Sequence, residues 1–159
     1  MQLISPEKIF RGNSAWLNAL PHIKKISKFP LVLGRSSSTN NLRQKICKDL
    51  RDNDFNMYSS NLQFDCCYED IERIKTLILQ NNCDSIIATG GGKVLDAGKY
   101  LADSLSIPVI TIPLSASTCA CWTALSNIYS KDGQFIEDVE LKSCPKILVL
   151  DHNFIKTAP

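Results

Sequence analysis

Apolar residues fall along the chain in two alternating rhythms. Short apolar runs closed by turn residues read as strands: "FPLVLG" ending at Gly34, "SIIATGGG" ending at Gly92, then "PVITIPLS" and "KILVLD". Between them apolar positions recur three or four apart. Leu42, Ile46 and Leu50 do so in "NNLRQKICKDLRDN", and Ile71, Ile74, Leu77 and Ile78 in "YEDIERIKTLILQNN". Val94, Ala97, Leu101 and Leu105 do so in "KVLDAGKYLADSLS". Each set makes one stripe on a helix. "FNMYSS" is a further candidate strand. Strand and helix in alternation imply βαβ units. The expected fold class is therefore α/β, a Rossmann-like, mainly parallel sheet flanked by helices.

In such sheets ligands sit at the carboxyl ends of the strands. Two stretches lie at such ends: "ATGGG", and the small, hydroxyl-rich "PLSASTCACWTALSN". Glycine permits φ > 0 and removes the Cβ that would hold a ligand away. The first N–H groups of the following helix are unpaired and carry partial positive charge. Strand, Gly90-Gly91-Gly92 and helix start together make an anion site, most often for phosphate, with Lys93 at its rim. Asp96 is expected in the first helical turn. The motif is not a P-loop, because Val94 rather than Ser or Thr follows Lys93. Nor is it GxGxxG, because the position of the last glycine is Leu95. The alternative is a tight turn that needs glycine only to pack helix on strand.

Composition narrows the classes. The chain has 159 residues, is 44% hydrophobic and 21% charged, and has a net charge of +2. That suits one globular domain and gives no reason to expect nucleic acid or a charged membrane surface as partner. No apolar run approaches the roughly 20 residues of a membrane span, and "MQLISPEKIFRG" lacks a signal peptide's apolar core. The expected location is cytoplasmic. Seven cysteines are irregularly spaced without a CxxC pair, so reduced thiols are expected rather than a zinc site or disulfide framework.

"GGGKVLDAGK" resembles the GGGxxxDxxK signature of the iron-containing alcohol dehydrogenase superfamily, the glycerol dehydrogenase-like group in particular. "PVITIPLSAST" followed by "ALSNIYSKDGQF" resembles that group's second nucleotide-contacting stretch. "SPEKIFRGNSAWLNALP" is similar to its first strand and helix, and "CPKILVLDHNFIKTAP" to the last strand before its domain boundary. The resemblance implies that residues 1–159 form the N-terminal NAD(P)-binding domain of a dehydroquinate synthase-like, iron-containing alcohol dehydrogenase fold. The C-terminal helical domain, which holds zinc or iron through one aspartate and two histidines, would be absent from the chain. His22 and His152 match none of these ligands, so no metal ligand and no catalytic residue is assigned here.

Carried across residue by residue, the resemblance places Gly90, Gly91 and Gly92 at the pyrophosphate, with Lys93 and Val94 completing the turn. Asp96 falls near the nicotinamide. Leu114, Ser115, Ala116 and Ser117 run along the cofactor, and Thr123, Leu125 and Tyr129 add nucleotide contacts. Core packing competes with that role for Leu125 and Tyr129. Cys119 takes the substrate-contact position, where glycerol dehydrogenases carry an aspartate. A thiol hydrogen-bonds a polyol poorly, so the stretch resembles more the hydroxycarboxylate dehydrogenase branch. Trp122 is expected to pack as a wall that borders the substrate. Arg35 and Ser36 stand where an acidic residue commonly holds the ribose hydroxyls, which favours NADPH over NADH.

The implied activity is an NAD(P)- and metal-dependent dehydrogenase of alcohols, polyols or 2-hydroxy acids. Its partner would be a small-molecule alcohol or 2-oxo acid. Alternatives are a non-catalytic nucleotide-binding module and a dehydroquinate synthase-like cyclase, although the substrate loop lacks that enzyme's basic residues. The face meeting a second domain is expected to be apolar and to favour a homo-oligomer.

Overall fold

A computed structural model describes residues 4–157. Six strands form one wholly parallel sheet in the order β1-β8-β5-β4-β2-β3. The strands are β1 (Lys8–Gly12), β2 (Pro30–Gly34), β3 (Tyr58–Asn61), β4 (Ser85–Gly90), β5 (Val109–Pro113) and β8 (Ile147–Asp151). The helices are α1 (Ala15–Ile26), α2 (Asn40–Asp52), α3 (Tyr68–Gln80), α4 (Gly92–Leu105) and the short α5 (His152–Lys156). A separate antiparallel hairpin pairs β6 (Leu125–Tyr129) with β7 (Phe135–Glu140).

Side chains on a strand alternate between faces, and the two cores follow from that. Leu31, Leu33, Ile86, Ala88 and Leu148 meet Ile71, Ile74 and Ile78 of α3 and Val94, Ala97 and Leu101 of α4. Val32, Ile87, Ile110, Ile112 and Val149 meet Trp16, Leu20 and Ile23 of α1 and Ile46 and Leu50 of α2. Burying each large aliphatic side chain contributes about 1.5–3 kcal/mol, so these layers, and not the exposed β7, carry the stability. Asp151, buried at the end of β8, ties together the face covered by α1 and α2. Its carboxylate accepts from the Trp16 N–H at 3.0 Å and from the Asn153 N–H at 2.9 Å, the latter capping α5.

The α/β class, the four apolar-run strands, "FNMYSS" as β3 and all three periodic helices stand as the pattern implied. The β6–β7 hairpin does not follow from the pattern. β7, "FIEDVE", is largely exposed and shows no strict alternation, because Val139 alone of its residues packs against the core. All seven cysteines are free thiols. No helix among the described residues is long and apolar enough to cross a membrane.

Gly98 sets how closely α4 lies on β4. A Cβ there would stand 2.5 Å from the Ala88 Cβ, on a strand that cannot yield. Gly98→Ala therefore lowers stability by about 1–3 kcal/mol, although alanine favours a helix by about 1 kcal/mol over glycine. Urea unfolding measures this, and a stabilised variant would show that α4 can lift away.

Candidate functional site

The chain leaves β2 towards β3 at one edge of the sheet and leaves β4 towards β5 in the other direction. The connecting helices go to opposite faces: α2 packs in one core and α4 in the other. The loops after β2 and β4 therefore part, and a crevice opens between them at the carboxyl ends of the strands. Arg35, Ser36 and Thr39 line it from the β2 side, and Gly90, Gly91, Gly92, Lys93 and Val94 from the β4 side, around about 280 Å³.

Each glycine of the turn answers a different demand. Gly90 has φ of +156° and carries its chain past Val94, whose Cβ would be 3.1 Å from an added Cβ. Gly91 would aim a Cβ into open space, so its backbone is the bare floor of the crevice. At Gly92 an added Cβ would meet Thr118 Oγ1 at 3.0 Å. The Gly91 carbonyl accepts from the Val94 and Leu95 N–H groups, and no side chain caps α4. The preceding Thr89 keeps its hydroxyl buried without a partner. A bare backbone, an uncapped helix start and Lys93 at the rim fit an anionic phosphate group.

A second hollow of about 400 Å³ adjoins the first through Gly92 and Lys93. Asp96, Ser117, Cys119, Thr123, Leu125, Asn127 and Tyr129 line it. Along β6, Ser126 and Ile128 are buried while Leu125, Asn127 and Tyr129 alternate onto the hollow. Leu125 and Tyr129 thus line the hollow, and Tyr129 packs against the core as well. Lys93 Nζ lies 4.6 Å from the centre of the Tyr129 ring.

The hollow's far wall hangs on Lys99. Its side chain is 1% exposed and reaches Asp96 Oδ1 at 3.1 Å and the Thr123 carbonyl and hydroxyl oxygens at 3.2 Å each, and donates also to the Leu125 carbonyl. Burial pushes the Asp96 carboxyl above its ordinary value, against the opposing pull of Lys99. Ser126 Oγ donates to the Asp96 carbonyl at 2.9 Å. Asp96 is the fifth residue of α4, just past the first turn in which the sequence placed it.

The other expected residues differ in depth. Leu114 is buried in the core, and its N–H bonds the Gly90 carbonyl at 2.9 Å. Ser115 bonds Ser117, hydroxyl to hydroxyl, at 2.7 Å, and Ala116 is exposed. Trp122 is 40% exposed and lines neither hollow. His22 lies against Phe10 with ring centres 5.0 Å apart and the rings tilted by 50°, and burial lowers its pKa. No group of three or more His, Cys, Asp or Glu side chains among the described residues could hold a metal ion. Sequence reasoning missed Asp65, Lys99 and Asn127. Lys99 was inside the quoted glycine motif, but only its depth shows what it holds. Nothing in the linear pattern marks Asp65.

The parallel order and the crevice define an open, doubly wound α/β domain. Residues 6–152 match the model of the family described as iron-containing alcohol dehydrogenase, and the chain belongs to that family. It is 36% identical over 160 residues to an uncharacterized oxidoreductase of Synechocystis sp., covering 98% of this chain and 40% of the relative. It is 28% identical over 155 residues to the glycerol dehydrogenase of Citrobacter freundii, covering 98% of this chain and 42% of the relative. The crystal structure of glycerol dehydrogenase from Schizosaccharomyces pombe matches with a TM-score of 0.86 at 27% identity, over 97% of this chain and 39% of that one. The chain thus spans about two fifths of the length of these relatives.

Cys119, at the mouth of the second hollow, is the one exposed thiol among the seven cysteines. Burial raises the pKa of Cys47, Cys66, Cys83, Cys121 and Cys144, which suppresses the reactive thiolate. Alkylation of the native chain at neutral pH should label Cys119 first, and mass mapping of the labelled peptides checks this. Equal labelling of Cys66 would show that the core opens.

Proposed function

We propose that this chain is the NAD(P)-binding domain of a dehydrogenase that interconverts an alcohol and its carbonyl compound. The observation that carries the reading is the Gly90–Gly92 turn at the switch point of a parallel sheet, open at Gly91 and edged by Lys93. Membership of the iron-containing alcohol dehydrogenase family supports it. The nicotinamide cofactor supplies the hydride chemistry when bound. The chain's own residues bind and orient. Gly91 and Gly92 let the pyrophosphate reach the backbone N–H groups at the start of α4, and Lys93 adds positive charge. Asp96, held by Lys99, and β6 residues Leu125 and Tyr129 bound the nicotinamide end. Arg35 and Ser36, in the place of a ribose-binding carboxylate, favour the 2′-phosphate of NADPH.

Cys119 borders the substrate side. With a thiol there and no carboxylate, the reading favours a 2-hydroxy acid or its 2-oxo acid over glycerol. The described residues do not fit a zinc or iron ion, and no step is assigned to one here. The chain by itself is therefore expected to bind the nucleotide without turnover.

Calorimetry with NADH and NADPH tests the reading. Gly91→Val puts two methyl groups into the open floor where no protein atom is displaced. It should abolish binding of both nucleotides while circular dichroism and melting stay as in the unaltered chain; unchanged affinity in the folded variant would sink the assignment. Arg35→Asp should turn a preference for NADPH into one for NADH by about tenfold or more, and a native preference for NADH would refute the adenosine-end assignment. Elemental analysis and an NADPH-oxidation assay with 2-oxobutanoate and glycerol complete the test. Stoichiometric metal with turnover would place the active site elsewhere than argued.

A further inference from the structure

Arg35 follows β2 and Lys93 opens α4, yet both reach the same carboxylate. Asp65, on the loop between β3 and α3, lies behind the crevice with its side chain 9% exposed. Lys93 Nζ donates to Asp65 Oδ2. Arg35 Nη2 stands 2.9 Å from Oδ1, an ion pair without hydrogen-bond alignment, and Arg35 Nε donates to the Phe64 carbonyl. The hairpin tip closes the cluster from above, where a Cβ on Gly133 would stand 3.5 Å from Asp65 Oδ2. The Tyr129 ring flanks Lys93 Nζ at 4.6 Å.

We infer that Asp65 is a positioning residue for the cofactor's phosphates. It is one buried counter-ion that holds two rim cations in place. Long basic side chains otherwise sample many rotamers and repel each other when brought to one anion. Asp65 removes both obstacles before the ligand arrives. Arg35 has five N–H donors and Lys93 three, so most remain for phosphate after these contacts. Two positive charges against one negative leave the rim net positive. Asp65 is walled off by its partners and does not line the crevice, so it acts through Arg35 and Lys93 rather than on the ligand. The inference rests on the dinucleotide reading and adds to it the residue that presets the charged rim.

Affinities for NADH and NADPH, measured by calorimetry, decide it. The proteins are the unaltered chain, Asp65→Asn, Lys93→Ala, Arg35→Ala, and the doubles that combine Asp65→Asn with each. Asp65→Asn should weaken NADH about tenfold and NADPH by more. Lys93→Ala should cost about tenfold in the unaltered background and little in the Asp65→Asn background. Additive costs would mean that the three residues act separately, and would overturn the inference. So would tighter binding in Asp65→Asn, since the carboxylate would then be a competitor of the ligand. If Arg35→Ala leaves the NADPH-to-NADH ratio unchanged, the adenosine-end reading fails while the Lys93 cycle still decides the clamp. An unaltered chain that binds neither nucleotide overturns the dinucleotide reading and this inference with it. One measurement needs no substitution at Asp65: the Arg35 Nε–H signal in nitrogen-15 spectra of the free chain should exchange slowly with water, and fast exchange refutes preorganisation.

Discussion

An ammonium group cut off from water must be surrounded by oxygen, and much of the site follows from how Lys99 meets that demand. Leaving such a charge unpaired would cost several kcal/mol. Its neighbours are the Asp96 carboxylate on its own helix, the Thr123 carbonyl on the loop that enters β6 and the Leu125 carbonyl at the first residue of β6. The loop therefore cannot drift from α4 without stranding the charge. With the loop fixed, β6 starts at a set height over α4, and its alternation turns Leu125, Asn127 and Tyr129 to the hollow.

The same helix is held from the other side by contact rather than charge. Gly98 lets α4 lie directly on Ala88 of β4, and Val94, Ala97 and Leu101 fill the space beside it. α4 thus enters its helix at a fixed distance from the end of β4, and the turn between them has little freedom. Gly90 takes the positive φ and Gly92 makes room for Thr118. The open backbone at Gly91 is what remains between these constraints. Packing alone fixes this geometry, and the opening it leaves at Gly91 is the feature on which the proposed anion site rests.

Charge is arranged in layers around that opening. Asp65 and Asp96 lie buried, each against a lysine of α4, and the cations they hold face the crevice or the loop. The hairpin seats Ile128 in the core, its tip covers Asp65 and its Tyr129 flanks Lys93.

Much was legible in the chain because local rules write themselves into local sequence. The run "SIIATGGG" before "KVLDAGKYLADSL" had to be a strand, a turn and a helix. A strand buried on both faces needs continuous apolar residues, and a helix on a sheet needs an apolar stripe. The parallel α/β class followed, and with it the end of the sheet where a ligand sits. Three-dimensional proximity is not local, and only the folded chain decides it. Asp65 is 28 residues from Lys93, and no spacing announces that the two meet. Trp122 looked like a wall and is exposed, while Leu114 looked like a cofactor contact and is core, because a residue's depth depends on what the rest of the chain lays over it. Periodicity determined the elements and the turn; burial and long-range charge pairing, which depend on the whole packed molecule, decided which side chains could act there.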